Sequence, residues 1–216
     1  MKAIIFDMDG VLIDSEPLWR KAMIAKFNAV GLPFDDDRCM QTTGLRIDEV
    51  TQHWYNLFPW PNVTPHQLAM DVIDEMIRLI NIEGEAMPGV YETLKMLHSA
   101  NCKIGLASSS SMVLIKAVIE KLEIKEYFDA IHSAEFEKYG KPHPDVYIHT
   151  ANLLNTPLRN CIAIEDSLNG LISAKAALMK VIAIPEAHNH HHAKFIIADK
   201  IIHSMQELTM EIINEL

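Results

Sequence analysis

The sequence predicts an α/β fold, a doubly wound parallel sheet with an all-helical insert after its first strand. Three observations carry this. From about residue 86 onward, short apolar runs alternate with amphipathic stretches, and right-handed strand–helix–strand crossovers make such a sheet parallel. One apolar run, Ala3 to Phe6, stands alone near the N-terminus and reads as a buried strand. Between the two, residues 15–85 show helical spacing and no convincing strand. The organisation expected is a discontinuous core, residues 1–14 and 86–216, interrupted by a helical unit at 15–85.

Each element has its own warrant. Ser15-Glu16-Pro17 reads as a helix start, with proline in the first turn. Leu18, Ala22, Ala25 and Ala29 form one stripe and Trp19, Met23, Phe27 and Val30 a second, before Gly31 and Pro33 end the helix. Ile47, Val50, Trp54 and Leu57 predict a second helix that Pro59 stops. Thr64-Pro65-His66-Gln67 reads as a capping box opening a third, with Ala69, Ile73, Met76 and Ile80 on one face. Pro88-Gly89 marks the return to the core. Strands follow at Lys103–Ala107, Phe128–His132, Cys161–Ile164 and Val181–Ile184, with a short sixth at Lys200–Ile202. Helices are expected at Met112–Leu122, Asp145–Leu154 and Leu168–Leu178.

Composition narrows the function classes. A chain of 216 residues, 49% hydrophobic and 22% charged, fits a globular protein with a full core. A net charge of −10 excludes a nucleic-acid surface, which needs basic residues to neutralise phosphates. No apolar run reaches the length of a membrane span, and the N-terminus does not read as a signal peptide. Cys39, Cys102 and Cys161, odd in number and scattered, read as reduced thiols of a cytoplasmic protein. A monomer is expected. The histidine-rich run at His188–His192 follows Pro185 with no cysteine nearby, and reads as a solvated loop with no assigned role.

Four stretches carry chemistry. In Phe6-Asp7-Met8-Asp9-Gly10-Val11, two carboxylates leave the C-terminal end of a strand, the edge where open α/β sheets bind ligands. Converging anions need a cation, and a hard ion such as Mg²⁺ suits two carboxylates. By itself, Asp-x-Asp is more often an acidic turn. Ser108-Ser109-Ser110 lies between a strand and a helix, where hydroxyls and backbone N–H groups bind anions, although serines also cap helices everywhere. Gly140-Lys141-Pro142-His143-Pro144 holds a lysine between prolines that restrict the loop. In Ile164-Glu165-Asp166-Ser167, a strand again ends in two carboxylates, which are either helix-start acids or a metal site.

Together and in this order, the four stretches resemble the signature motifs of the haloacid dehalogenase superfamily of phosphohydrolases, over the whole chain. The resemblance implies a Rossmann-like core with a helical cap domain, a Mg²⁺ cofactor and a small phosphorylated substrate. It makes Asp7 the nucleophile and Asp9 the general acid and base. Ser108, with Ser109 as a secondary candidate, would bind the phosphoryl group, and Lys141 would neutralise it. Asp7, Asp9 and Asp166 would surround Mg²⁺, with Glu165 assisting directly or through water. Asp9 argues against carbon–halogen cleavage, because members that perform it lack this residue.

The insert narrows the reaction. Glu16, Trp19 and Arg46 are its candidate substrate contacts. Trp19 stands where β-phosphoglucomutases carry a histidine. Arg46 stands where phosphonoacetaldehyde hydrolases carry a Schiff-base lysine, and a guanidinium forms no Schiff base. The pattern is most similar to 2-deoxyglucose-6-phosphate/hexitol-phosphate phosphatases. A sugar phosphomutase is the alternative, followed by a non-catalytic phospho-ligand-binding regulator.

Overall fold

The computed structural model describes residues 2–42, 44–185 and 193–216, so the expectation for His188–His192 lies outside the described residues. Six parallel strands form one sheet in the order β3-β2-β1-β4-β5-β6. They are β1 (Ala3–Phe6), β2 (Lys103–Ser108), β3 (Ala130–Ser133), β4 (Cys161–Glu165), β5 (Lys180–Ala183) and β6 (Lys200–Ile201). β1 lies in the middle because all four of its side chains are buried. Ile4 and Phe6 enter one hydrophobic layer, Ala3 and Ile5 the other, as the two-residue strand period requires. Phe6 pairs with Leu106 on one side and Ile164 on the other, so the segments after β1, β2 and β4 emerge at one edge. The reversal of strand order falls there too, where open sheets bind ligands.

The insert is helical, with α1 (Glu16–Ala29), α2 (Asp36–Gln41), α3 (Ile47–Leu57) and α4 (Pro65–Glu83). The chain leaves and re-enters the core side by side: Asp14 donates its N–H to the Glu85 carbonyl at 3.1 Å, and Met87 to that of Leu12 at 3.0 Å. In α1 the buried positions are Leu18, Ala22, Met23 and Phe27. Ala25 and Ala29 are exposed, because the buried face lies between the two stripes and takes Leu18 and Ala22 from one and Met23 and Phe27 from the other. Thr64 caps α4 by accepting from the Gln67 N–H at 3.1 Å. Phe27 stacks on Phe34 at 4.2 Å, with Trp54 and Trp60 edge-on, in an aromatic cluster continuous with one layer of the sheet core. α4 also packs against α6 (Met112–Lys121).

The remaining helices are α5 (Val90–Ser99), α7 (Asp145–Leu153), α8 (Leu168–Ala176) and α9 (Met210–Glu215). The sequence reading did not include α2, α5 or α9. In α2 only Cys39 is buried and in α9 only Ile213, which leaves no apolar period to read. β3 lies two residues later at its start than expected, because a short 3-10 turn, Lys125–Tyr127, takes the approach to it. No disulfide joins the three cysteines. Among the described residues, no helix is long and apolar enough to cross a membrane.

Candidate active site

Asp7 follows β1 directly and its backbone N–H extends the ladder to the Ile164 carbonyl at 2.9 Å, which holds its side chain at the sheet edge. The next turn reverses the chain through Gly10, at φ +72°. A Cβ there would stand 2.3 Å from an Asp166 carboxylate oxygen. Glycine at this position therefore lets the fourth motif approach the first.

Lys141 organises the floor. Its ammonium donates to Asp7 at 2.8 Å, to Glu165 at 2.6 Å and to the Ala107 carbonyl at 3.0 Å. The Tyr147 hydroxyl, from the first turn of α7 (Asp145–Leu153), donates to the same Glu165 oxygen at 2.6 Å. Ser167 donates to the other Glu165 oxygen at 3.2 Å. Glu165 is fully buried and held on both oxygens, Lys141 is 5% exposed, and Asp7 is 7% exposed. Burial pushes the Asp7 carboxyl up to about 7 against the attraction of Lys141, and Glu165 and Asp9 add to the rise. Burial works against the charge of Lys141, but Asp7 and Glu165 outweigh it and hold the amine protonated well above the usual lysine range. Burial raises the Tyr147 phenol, as do the charges of Glu165 and Asp7.

Asp9 is oriented separately. One oxygen accepts from Ser15 at 2.6 Å and from the Trp19 indole at 2.9 Å, and the other accepts from Ser110 at 2.8 Å. A hydroxyl can reverse from donor to acceptor, whereas an indole N–H only donates. The oxygen facing Ser110 is thus the one that can carry a proton without losing its partner.

These groups open into a cavity of about 320 Å³ between the helical insert and the sheet edge. The structure brings Asp7, Asp9, Ser109, Lys141 and Asp166 to its wall, together with Glu16, Trp19 and Arg46 of the insert. Ser108 and Glu165 stand behind that wall. Ser108 ends β2 fully buried, and its hydroxyl accepts from the Ser110 N–H at 3.0 Å. The Ser109 hydroxyl is buried and has no hydrogen-bond partner, and Ser109 lines the cavity. Arg46 spans the gap: its guanidinium donates to the carbonyls of Ala134 and Glu137 at 3.2 and 3.4 Å, and lies near Asp48 and Glu49. Its stem passes over Gly140, where a Cβ would stand 3.1 Å from Cγ. Sequence reasoning missed Tyr147 and Ser15, since one reads as a core aromatic and the other as a helix cap.

One oxygen each from Asp7, Glu165 and Asp166 lie within 4.8 Å of one another. Lys141 pairs with two of these carboxylates, Asp7 and Glu165, and the all-oxygen set of three fits a hard divalent cation. Asp9 is outside this group, its oxygens being committed to Ser15, Trp19 and Ser110.

A parallel sheet whose switch-point edge carries this Asp–Ser–Lys–Asp constellation under a helical insert defines a hydrolase class, and the profile of the haloacid dehalogenase-like hydrolases matches residues 1–177. The chain belongs to that family. It is 38% identical to hexitol phosphatase B of Escherichia coli strain K12, over 96% of this chain and 94% of that one. It is 28% identical to the β-phosphoglucomutase of Bacillus subtilis strain 168, over 100% and 95%. The crystal structure of CbbY from Rhodobacter sphaeroides in complex with phosphate superposes with a TM-score of 0.87 at 26% identity, over 96% of both chains.

Proposed function

We propose that the protein is a Mg²⁺-dependent phosphatase of small sugar or sugar-alcohol phosphates, such as hexitol phosphates or 2-deoxyglucose 6-phosphate, acting through an aspartyl-phosphate. The observation that carries the reading is Lys141, buried between Asp7 and Glu165 at a cavity that both Lys141 and Ser109 line. In this reading residues 15–85 form a cap over a core of residues 1–14 and 86–216, and the enzyme works in the cytoplasm as a monomer.

An Asp7 oxygen attacks phosphorus, and the bond from phosphorus to the ester oxygen breaks. Asp9 gives its proton to the departing alkoxide, through the oxygen that faces Ser110. Asp9, now a carboxylate, takes a proton from water as that water attacks the aspartyl-phosphate. Inorganic phosphate leaves and Asp7 is regenerated. Lys141 and the serines after β2 stabilise the charge that gathers on the phosphoryl oxygens. Glu165 holds Lys141 in place, with Tyr147 and Ser167 holding Glu165. Asp7 and Asp166, with Glu165 beside them, would hold Mg²⁺, while Asp9, outside that group, is kept for proton transfer. When bound, the ion would supply positive charge against the negative charge of the phosphoryl oxygens. Excluding water from the cavity is the part of the cap.

The phosphatase reading is preferred to a mutase because the insert residue at the position where β-phosphoglucomutases carry a histidine is Trp19, whose indole contacts Asp9 but only donates and cannot serve as an acid–base group. Assay of hexitol and hexose phosphates for phosphate release, with and without Mg²⁺, tests it. Asp7→Asn should abolish turnover with the fold retained, and Asp9→Asn should slow it by about 100-fold or more. Appreciable release by Asp7→Asn, or release only with a bisphosphate activator, overturns the reading.

A further inference from the structure

Outside the catalytic cavity, two imidazoles and a carboxylate converge on one point. His132 lies in β3, Glu137 follows the short 3-10 turn Ala134–Phe136, and His149 lies in α7. His132 Nε2 and His149 Nδ1 each stand 2.5 Å from the same oxygen, Oε1 of Glu137. The two rings are nearly perpendicular, at 85° with centroids 5.6 Å apart, so both nitrogens aim at that oxygen from different planes. The Glu137 and His132 side chains are 5% and 16% exposed, whereas that of His149 is 52% exposed. Burial raises the Glu137 carboxyl, but its hydrogen bonds to His149 and His132 prevail and hold it below the usual range.

We infer that His132, Glu137 and His149 form a second metal site, distinct in chemistry from the carboxylate site and suited to Zn²⁺. Both short contacts are satisfied by N–H donors in the metal-free protein. When a cation replaces those two protons, the same nitrogens present lone pairs, and the donor set becomes two imidazoles and one carboxylate. That is a borderline-soft set of three protein ligands, with further positions open to water on the exposed side of His149. Mg²⁺ prefers oxygen alone and goes to the other site. The three residues come from a strand, a turn and a helix, so binding would tie β3 and α7 to the segment between them. That segment offers the Ala134 and Glu137 carbonyls to Arg46, and four residues after Glu137 it reaches Lys141. The bound ion would thereby stiffen the part of the core that the insert grips.

The inference does not depend on which substrate the enzyme turns over, because its test reads metal binding. Chelator-stripped protein is kept in excess Mg²⁺, and His188, His190, His191 and His192 are all replaced by alanine so that the run contributes no site. Zn²⁺ is then titrated in competition with a chromophoric chelator, and Co²⁺ is followed by its visible spectrum. One Zn²⁺ per chain is expected, with a rise in Tm on binding and a Co²⁺ spectrum of low coordination number. His149→Ala removes a half-exposed side chain and no core volume, and should weaken that binding by about 100-fold or more and abolish the Tm rise. His132→Ala should do the same, while His53→Ala, at an exposed insert position, should not. Absence of Zn²⁺ binding under these conditions, or binding that survives both cluster substitutions, overturns the inference.

Discussion

Arg46→Ala removes the two hydrogen bonds by which the helical insert holds the core segment beside Lys141. At 3.2 and 3.4 Å the contacts with Ala134 and Glu137 are long, so each is set below the range for a charged donor, at about 1 kcal/mol, as for an ordinary hydrogen bond. Together they favour the closed arrangement by about 2 kcal/mol, or about 30-fold in its population. On a hexitol phosphate, whose leaving group meets the insert, kcat/KM should therefore fall by about 10- to 30-fold. A small aryl phosphate that hardly touches the insert should lose much less. Arg46→Lys should fall between, because both bonds leave one guanidinium nitrogen and the ammonium on the shorter lysine stem reaches the two carbonyls less closely. Gly140→Ala should mimic part of the defect with Arg46 present, since the new methyl group displaces the arginine stem by a few tenths of an ångström. Steady-state kinetics on both substrates, for all three variants, give the comparison. A hexitol-phosphate kcat/KM within about twofold of wild type in Arg46→Ala would refute the latch. Equal losses on both substrates would move Arg46 to the phosphoryl group.

Tyr147→Phe deletes a donor to a buried carboxylate while keeping the ring, and should lower stability by about 1.5–3 kcal/mol in urea unfolding; no measurable change would mean Lys141 and Ser167 suffice for Glu165. Because burial pushes Asp7 up to about 7, a proton competes with the cation below that pH. Apparent Mg²⁺ affinity should fall up to tenfold per pH unit below about 7 and level off above it, as isothermal titration at several pH values would show. Trp19→Phe removes an Asp9 partner and should lower kcat while phosphate binding stays intact, as measured by inhibition with inorganic phosphate.

The order of elements and the four motifs were legible in the sequence because each depends on neighbours along the chain. Ala3–Phe6 is apolar throughout, and only a strand buried on both faces has a use for that. Thr64-Pro65 reads as a helix start, Asp7 and Lys141 sit in turns shaped by glycine and proline, and Asp166 lies between a strand end and the Ser167 helix cap. What the sequence could not decide is which groups share an oxygen. Glu165 and Asp166 are adjacent, yet one is buried under Lys141, Tyr147 and Ser167 while the other faces the cavity. Ser108 and Ser109 are chemically alike, and only the alternation of the strand end turns the first inward and leaves the second at the cavity wall. The grip of Arg46 on the Ala134 and Glu137 carbonyls links residues 88 and 91 positions apart. Local pattern carries a residue's backbone state, whereas a hydrogen bond between distant segments exists only once the sheet order and the helix packing have brought them together.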